Sequence, residues 1–133
     1  VIAAVADTHT AIWHLFGDER LSPAAATVIS NAANARQNIA VSAITLVEIV
    51  YLVEKGRLPE AAWSELQRVL SDPEHVFIEA GLTAAVVESM KQISRSDVPD
   101  MPDRIIAATA VYFNVPVISR DRCIRTANLQ AIW

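Results

Sequence analysis

Short β-favouring apolar runs alternate along this chain with longer stretches whose apolar residues recur at helical spacing. Val1–Ala6 reads as a first strand, followed by a helix over Thr8–Phe16 that closes near Gly17. Ser22-Pro23 offers an N-cap with proline in the first turn and opens a helix toward Arg36. Ile39–Val41 is a short second strand, and Ser42 caps a helix that runs to Lys55 and stops at Gly56. A helix from Pro59 to about Leu70 carries the apolar stripe Trp63, Leu66, Val69 and Leu70. After the turn Asp72-Pro73-Glu74 come a strand over Val76–Ile78, a helix over Leu82–Ile93 and a polar loop over Ser94–Met101. Pro102–Phe113 is the clearest amphipathic helix. Val115–Ser119 and Leu129–Trp133 supply two last strands, with a helical turn near Cys123–Ala127 between them.

About five strands separated by helices imply right-handed crossovers and a mainly parallel sheet covered on both faces. The expectation is one three-layer α/β/α domain over residues 1–133, without internal repeat or linker. In such sheets ligands bind outside the C-terminal ends of the strands. Four carboxylates fall at that edge. Asp7 closes the first strand, Asp121 follows the fourth, Asp103 opens the amphipathic helix, and Glu48 interrupts the apolar run Ile44–Val53.

Taken singly, each has a plainer reading. Asp7 suits the N-cap of the helix from Thr8, Asp103 suits a helix start, and Asp121 suits a turn cap or a pair with Arg125. Glu48 is the hardest to explain away, because its helical neighbours Ile44, Thr45, Tyr51 and Leu52 include no base. A half-buried charge without a partner is costly. As a set, four like charges at one edge make physical sense when they hold a divalent cation.

Composition narrows the field. The chain has 133 residues, 53% of them hydrophobic, a surplus that reads equally as apolar surface covered by a partner or a second copy and as a dense core. With 15 acidic and 11 basic residues, the net charge of −4 argues against nucleic-acid binding through a broadly basic surface. The tight basic cluster Arg120, Arg122 and Arg125 flanks Asp121 and reads equally as an RNA-backbone guide or a solvated turn. The single cysteine, Cys123, excludes an internal disulfide and makes zinc a poor fit; a reducing, cytoplasmic setting is expected, with no membrane span.

At these residues the chain resembles the PIN-domain family of metal-dependent ribonucleases, and within it the toxins of VapBC-type toxin–antitoxin modules. The stretches that carry the likeness are Ala6-Asp7-Thr8-His9, Val41–Ile49, Asp100–Ala110 and Val117-Ile118-Ser119-Arg120-Asp121. The resemblance implies strand order 3-2-1-4-5 and a Mg²⁺ or Mn²⁺ site built from Asp7, Glu48, Asp103 and Asp121. It further implies hydrolysis of RNA by a metal-activated water, a homodimer, and a cognate VapB-type antitoxin. Thr8, Ser42 and Ser119 match small hydroxyl positions that would orient the carboxylates, and capping explains each equally well. Trp13, on the first helix, is expected at a dimer or antitoxin contact.

Other classes fit less well. A haloacid-dehalogenase-like phosphatase would need an aspartate two residues after Asp7, where His9 stands. A receiver-like signalling module would need an acceptor aspartate after the third strand, where Glu79-Ala80-Gly81 stands. A non-catalytic interaction module remains the alternative that keeps the fold without the chemistry.

Overall fold

The computed structural model describes residues 1–127 and 129–133. Five strands form one wholly parallel sheet in the order β3-β2-β1-β4-β5. They are β1 (Ile2–Ala6), β2 (Asn38–Ser42), β3 (Phe77–Ala80), β4 (Val117–Ile118) and β5 (Ala131–Ile132). The helices are α1 (Thr8–Leu15), α2 (Pro23–Asn34), α3 (Ala43–Glu54), α4 (Glu60–Leu70), α5 (Ala84–Ser89), α6 (Met101–Phe113) and α7 (Arg122–Thr126).

Alternation along the strands builds two cores. Ala4, Ala6, Ile39, Val41 and Ile118 face a layer containing Ile12, Ile29, Ile49 and Leu66. Val5, Ala40 and Val117 face the opposite layer, where Val86, Ile106 and Ile124 pack. The sheet is therefore sandwiched as expected, and its central strands read as continuous apolar runs because both faces are covered.

Several boundaries differ from the sequence reading, each for an identifiable reason. The helix expected over Leu82–Ile93 is broken: α5 ends at Ser89 and a 3-10 turn follows over Met90–Gln92. Ser89 Oγ donates back to the Ala85 carbonyl, and the Arg104 guanidinium takes the carbonyls of Met90 and Ile93 at 3.0 and 3.1 Å. Those tertiary bonds satisfy the helix end sooner than local pattern predicts. β4 shrinks to Val117–Ile118 because Pro116 has no N–H, although its carbonyl still accepts from Val5 N at 2.9 Å. Arg36, at φ 56°, takes the left-handed conformation that turns the chain after α2.

The strand order places β1 between β2 and β4, with the sequence running outward in both directions. That is a topological switch point, where a crevice opens at the C-terminal edge of the sheet. Asp7, Ser42 and Ser119 all stand at that edge, directly after β1, at the end of β2 and after β4.

Candidate active site

A cavity of about 560 Å³ opens at the switch point, and five carboxylates line it: Asp7, Glu48, Asp100, Asp103 and Asp121. All four acidic positions picked out in the sequence therefore meet. Asp100, which is not one of those four, joins them.

Each is placed by local chain chemistry. Asp7 caps α1, with Oδ1 accepting from Thr10 N–H at 2.9 Å, and it is only 7% exposed. Its Oδ2 accepts from the Ser119 hydroxyl, whose oxygen in turn accepts Asp121 N–H at 3.0 Å. Asp121 caps α7 through Ile124 N–H at 3.1 Å and makes no pair with Arg125. Asp100 caps α6 by accepting from Asp103 N–H at 3.0 Å, which leaves the Asp103 carboxylate one turn in and free of that duty. The capping readings of Asp7 and Asp121 are thus correct without displacing them from the cavity: one carboxylate does both.

Glu48 projects from α3 and receives the Thr8 hydroxyl at 2.5 Å on Oε1. Thr8 Oγ1 also lies 3.0 Å from the buried Thr45 hydroxyl. Since Thr8 has one proton and gives it to Glu48, Thr45 donates to Thr8, and a two-hydroxyl relay aims the carboxylate. Burial pushes the Glu48 pKa up, opposed by the Thr8 bond and reinforced by the Asp100 charge. Asp103 is raised further, from 3.8 to about 7, first by burial and then by the charges of Asp100, Asp121, Glu48 and Asp7.

No ion pair cancels that repulsion among the described residues, although His9 on the same lining eases it for Glu48. The ion pairs among the described residues are Asp18–Arg20, Glu65–Arg68 and Glu88–Lys91, and none involves a cavity carboxylate. An all-oxygen, like-charged donor set is the chemistry a hard divalent cation requires. The carboxylates line the cavity rather than close on a point, and no three of the described Asp, Glu, His or Cys side chains already form a coordination cluster. Magnesium suits such openness, because it retains several waters and takes one or two direct carboxylates rather than a protein cage.

Three sequence expectations need adjusting. Ser42 caps α3 by accepting Ile44 N–H at 3.2 Å and has no hydrogen bond to a carboxylate among the described residues, so the orienting hydroxyls are Thr8, Thr45 and Ser119. Of the three arginines near Asp121, only Arg120 lines the cavity; Arg122 and Arg125 are exposed on α7. Trp13 is 5% exposed and is packed by Trp133 and His9, so it offers almost no surface to a partner. Its ring instead lies under two guanidiniums at the cavity, Arg120 at 4.9 Å and Arg20 at 5.1 Å. Arg20 carries no sequence signal, standing in the irregular stretch between α1 and α2.

A wholly parallel 3-2-1-4-5 sheet with an acidic switch-point cavity defines a class, and the family comparison agrees: residues 4–128 match the PIN domain, and the chain belongs to that family. Among its relatives is ribonuclease VapC22 of Mycobacterium tuberculosis, 32% identical over 124 residues that cover 90% of this chain and 88% of that protein. The fold is also that of solved structures. VapBC2 from Rickettsia felis, bound to a fragment of promoter DNA, aligns with TM-score 0.71 at 18% identity, covering 98% of this chain and 97% of that one. FitAcB from Neisseria gonorrhoeae aligns with TM-score 0.58 at 19% identity, covering 98% and 96%.

Proposed function

We propose that this chain is a Mg²⁺-dependent endoribonuclease, with Mn²⁺ as a substitute, acting as the cytoplasmic toxin of a toxin–antitoxin pair. The observation that carries the reading is five carboxylates lining one switch-point cavity with no ion-pair partner among the described residues. Family membership and the relationship to ribonuclease VapC22 supply RNA as the substrate class.

Asp7, Glu48, Asp103 and Asp121 are assigned as the metal-holding set, with Asp100 beside them. When bound, the cation supplies an activated water and neutralises charge on the scissile phosphate. The chain's own residues do the aiming. Ser119 holds Asp7 and the Asp121 backbone together, Thr8 and Thr45 fix Glu48, and the capping bond of Asp100 sets the first turn that carries Asp103. Their fixed rotamers spare the site the reorganisation that a loose carboxylate would need at each turnover.

A VapB-type antitoxin and a second copy of the chain are the partners proposed. Val47, Val50 and Tyr51, one row on the outer side of α3, support a protein contact: Tyr51 is 60% and Val47 48% exposed.

The test is cleavage of a structured RNA by wild type and Asp103→Asn in Mg²⁺, Mn²⁺ or EDTA. Asp103 is the better choice than Asp7, which also caps a helix. Cleavage that stops in EDTA, returns with either ion and is lost in the variant is expected. Cleavage that survives chelation sinks the reading.

A further inference from the structure

The cavity is not acidic throughout. Its floor is carboxylate, but Arg20 and Arg120 stand on its lining as well, and both guanidiniums lie over the single indole of Trp13. Trp13 is itself immobilised, tilted against His9 at 5.5 Å and Trp133 at 5.7 Å, and it is almost fully buried. An arginine on a protein surface ordinarily samples many rotamers, and stacking on a fixed aromatic face removes most of that freedom before any ligand arrives.

The two arginines are unequal. Arg20 makes a two-bonded pair with Asp18, Nε to Oδ1 at 3.0 Å and Nη2 to Oδ2 at 2.8 Å, so its charge is matched. Arg120 has no ion-pair partner among the described residues although Asp121 is next in sequence. One guanidinium at the rim is thus neutralised and one is available.

We propose that Trp13 is a positioning residue that holds Arg120, and secondarily Arg20, at the cavity rim to grip the RNA backbone beside the phosphate presented to the carboxylates. The inference rests on the ribonuclease reading above and adds to it a residue class, an aromatic–arginine stack, that the four-carboxylate pattern does not contain. Phosphodiester is the ligand chemistry favoured, because a planar guanidinium donates in a fork that matches two phosphate oxygens. Guanidiniums beside carboxylates on one lining also sort charge: the backbone is drawn to the arginines and kept from the carboxylates except where a cation stands.

The experiment measures binding of a fluorescein-labelled single-stranded RNA to the full chain by anisotropy, in Ca²⁺, over a range of salt concentrations. Thermal melting of each variant checks that it is folded. Arg120→Gln is expected to bind about fivefold to tenfold more weakly near 0.1 M salt, with the log–log salt slope shallower by about 0.7, one phosphate contact on a single strand. Arg20→Gln should lose less than Arg120→Gln. Arg120→Lys keeps the charge and gives up the planar stack, so the slope should stay while affinity falls about threefold. Trp13→Phe should behave like Arg120→Lys, and in Mg²⁺ both should raise KM with kcat within about twofold of wild type. A merely structural role for Trp13 would lower the melting temperature and leave KM untouched.

Unchanged affinity in Arg120→Lys and in folded Trp13→Phe overturns the proposal, and so does a larger loss in Arg20→Gln than in Arg120→Gln. An effect confined to antitoxin association, with RNA binding unmoved, overturns it too. If wild type cleaves RNA but the variants bind it normally, only the clamp fails; if wild type neither binds nor cleaves RNA, the ribonuclease reading fails with it.

Discussion

On α4, Glu65 takes two hydrogen bonds from Arg68, at 2.6 and 3.1 Å, with Arg68 in solvent and Glu65 partly exposed. One helix earlier, Glu48 of α3 is half-buried, meets four other carboxylates across a cavity, and among the described residues is bonded to a hydroxyl and to no base. The same residue type is thus used in opposite ways within neighbouring helices. The Glu65 pair holds its own charge in check and its carboxyl lies below the usual range, whereas Glu48 and Asp103 lie above it. A pair at the surface is electrostatically complete; the cavity is complete only with something added. Where the charges lack partners is a better guide to function than where charges are dense.

The contrast can be broken at several points. The largest effect is expected for Glu48→Gln, which keeps shape and removes charge. RNA cleavage in Mg²⁺ should fall by about 10² or more, the loss that follows removal of an essential group in the transition state, while the metal-free variant melts no lower than wild type. A lower melting temperature with intact cleavage would mean that Glu48 is structural.

Adding the cation is the complementary perturbation. At a hundredfold excess over its Kd, Mg²⁺ should stabilise the folded chain by about 2.7 kcal/mol, read as a rise in melting temperature that Asp103→Asn diminishes. No rise in wild type at any concentration of Mg²⁺ or Mn²⁺ would show the cavity to be no cation site.

A smaller effect is the pH dependence of the metal-free chain in EDTA. The folded-state pKa of Asp103 is raised from 3.8 to about 7, so folding favours its protonated form. That contribution is fully present below about pH 4 and lost as the pH rises through about 7. His14 and His75 work the other way. Burial lowers both, so their contribution is present above the ordinary histidine value of 6.5 and lost as the pH falls below it. Subtracting the melting curve of Asp103→Asn isolates the first group: the difference, wild type minus variant, should decline between pH 4 and 7. A flat difference would show that the repulsion is not felt. The smallest effect belongs to Glu65→Gln, expected to leave the denaturant midpoint almost where it is in wild type, because an exposed helix pair is screened by solvent.

The pattern of apolar runs carried the sheet's ingredients and four of the five carboxylates that line the cavity, because strand ends and helix starts are marked locally. Asp7 and Asp121 could be found for the same reason that made them ambiguous: a cap is a local motif, and here both caps line one cavity; Asp100, also a cap, is not singled out by the pattern. What the sequence did not disclose are contacts between distant segments. The early end of α5 depends on Arg104, at least 11 residues away, and the rim depends on Arg20, Trp13 and Arg120 meeting across two layers of chain. Trp13 looked like a partner contact because an aromatic at that spacing is as consistent with an interface as with a core. Ser42 reads as an orienting hydroxyl because the family resemblance has a small hydroxyl there, with capping as the equal alternative, and among the described residues its side-chain bond is the cap, accepting Ile44 N–H.

The bond from Ser119 to Asp7 spans 112 residues of chain. Ribosomes add roughly 5–20 residues each second, so the first carboxylate of the floor leaves the ribosome on the order of ten seconds before the hydroxyl that aims it. Until β4 slides in beside β1, Asp7 can cap its helix but has no Ser119, and Asp121 does not yet exist. The carboxylate lining is therefore incomplete through most of synthesis, and the closing of the sheet is also what completes it.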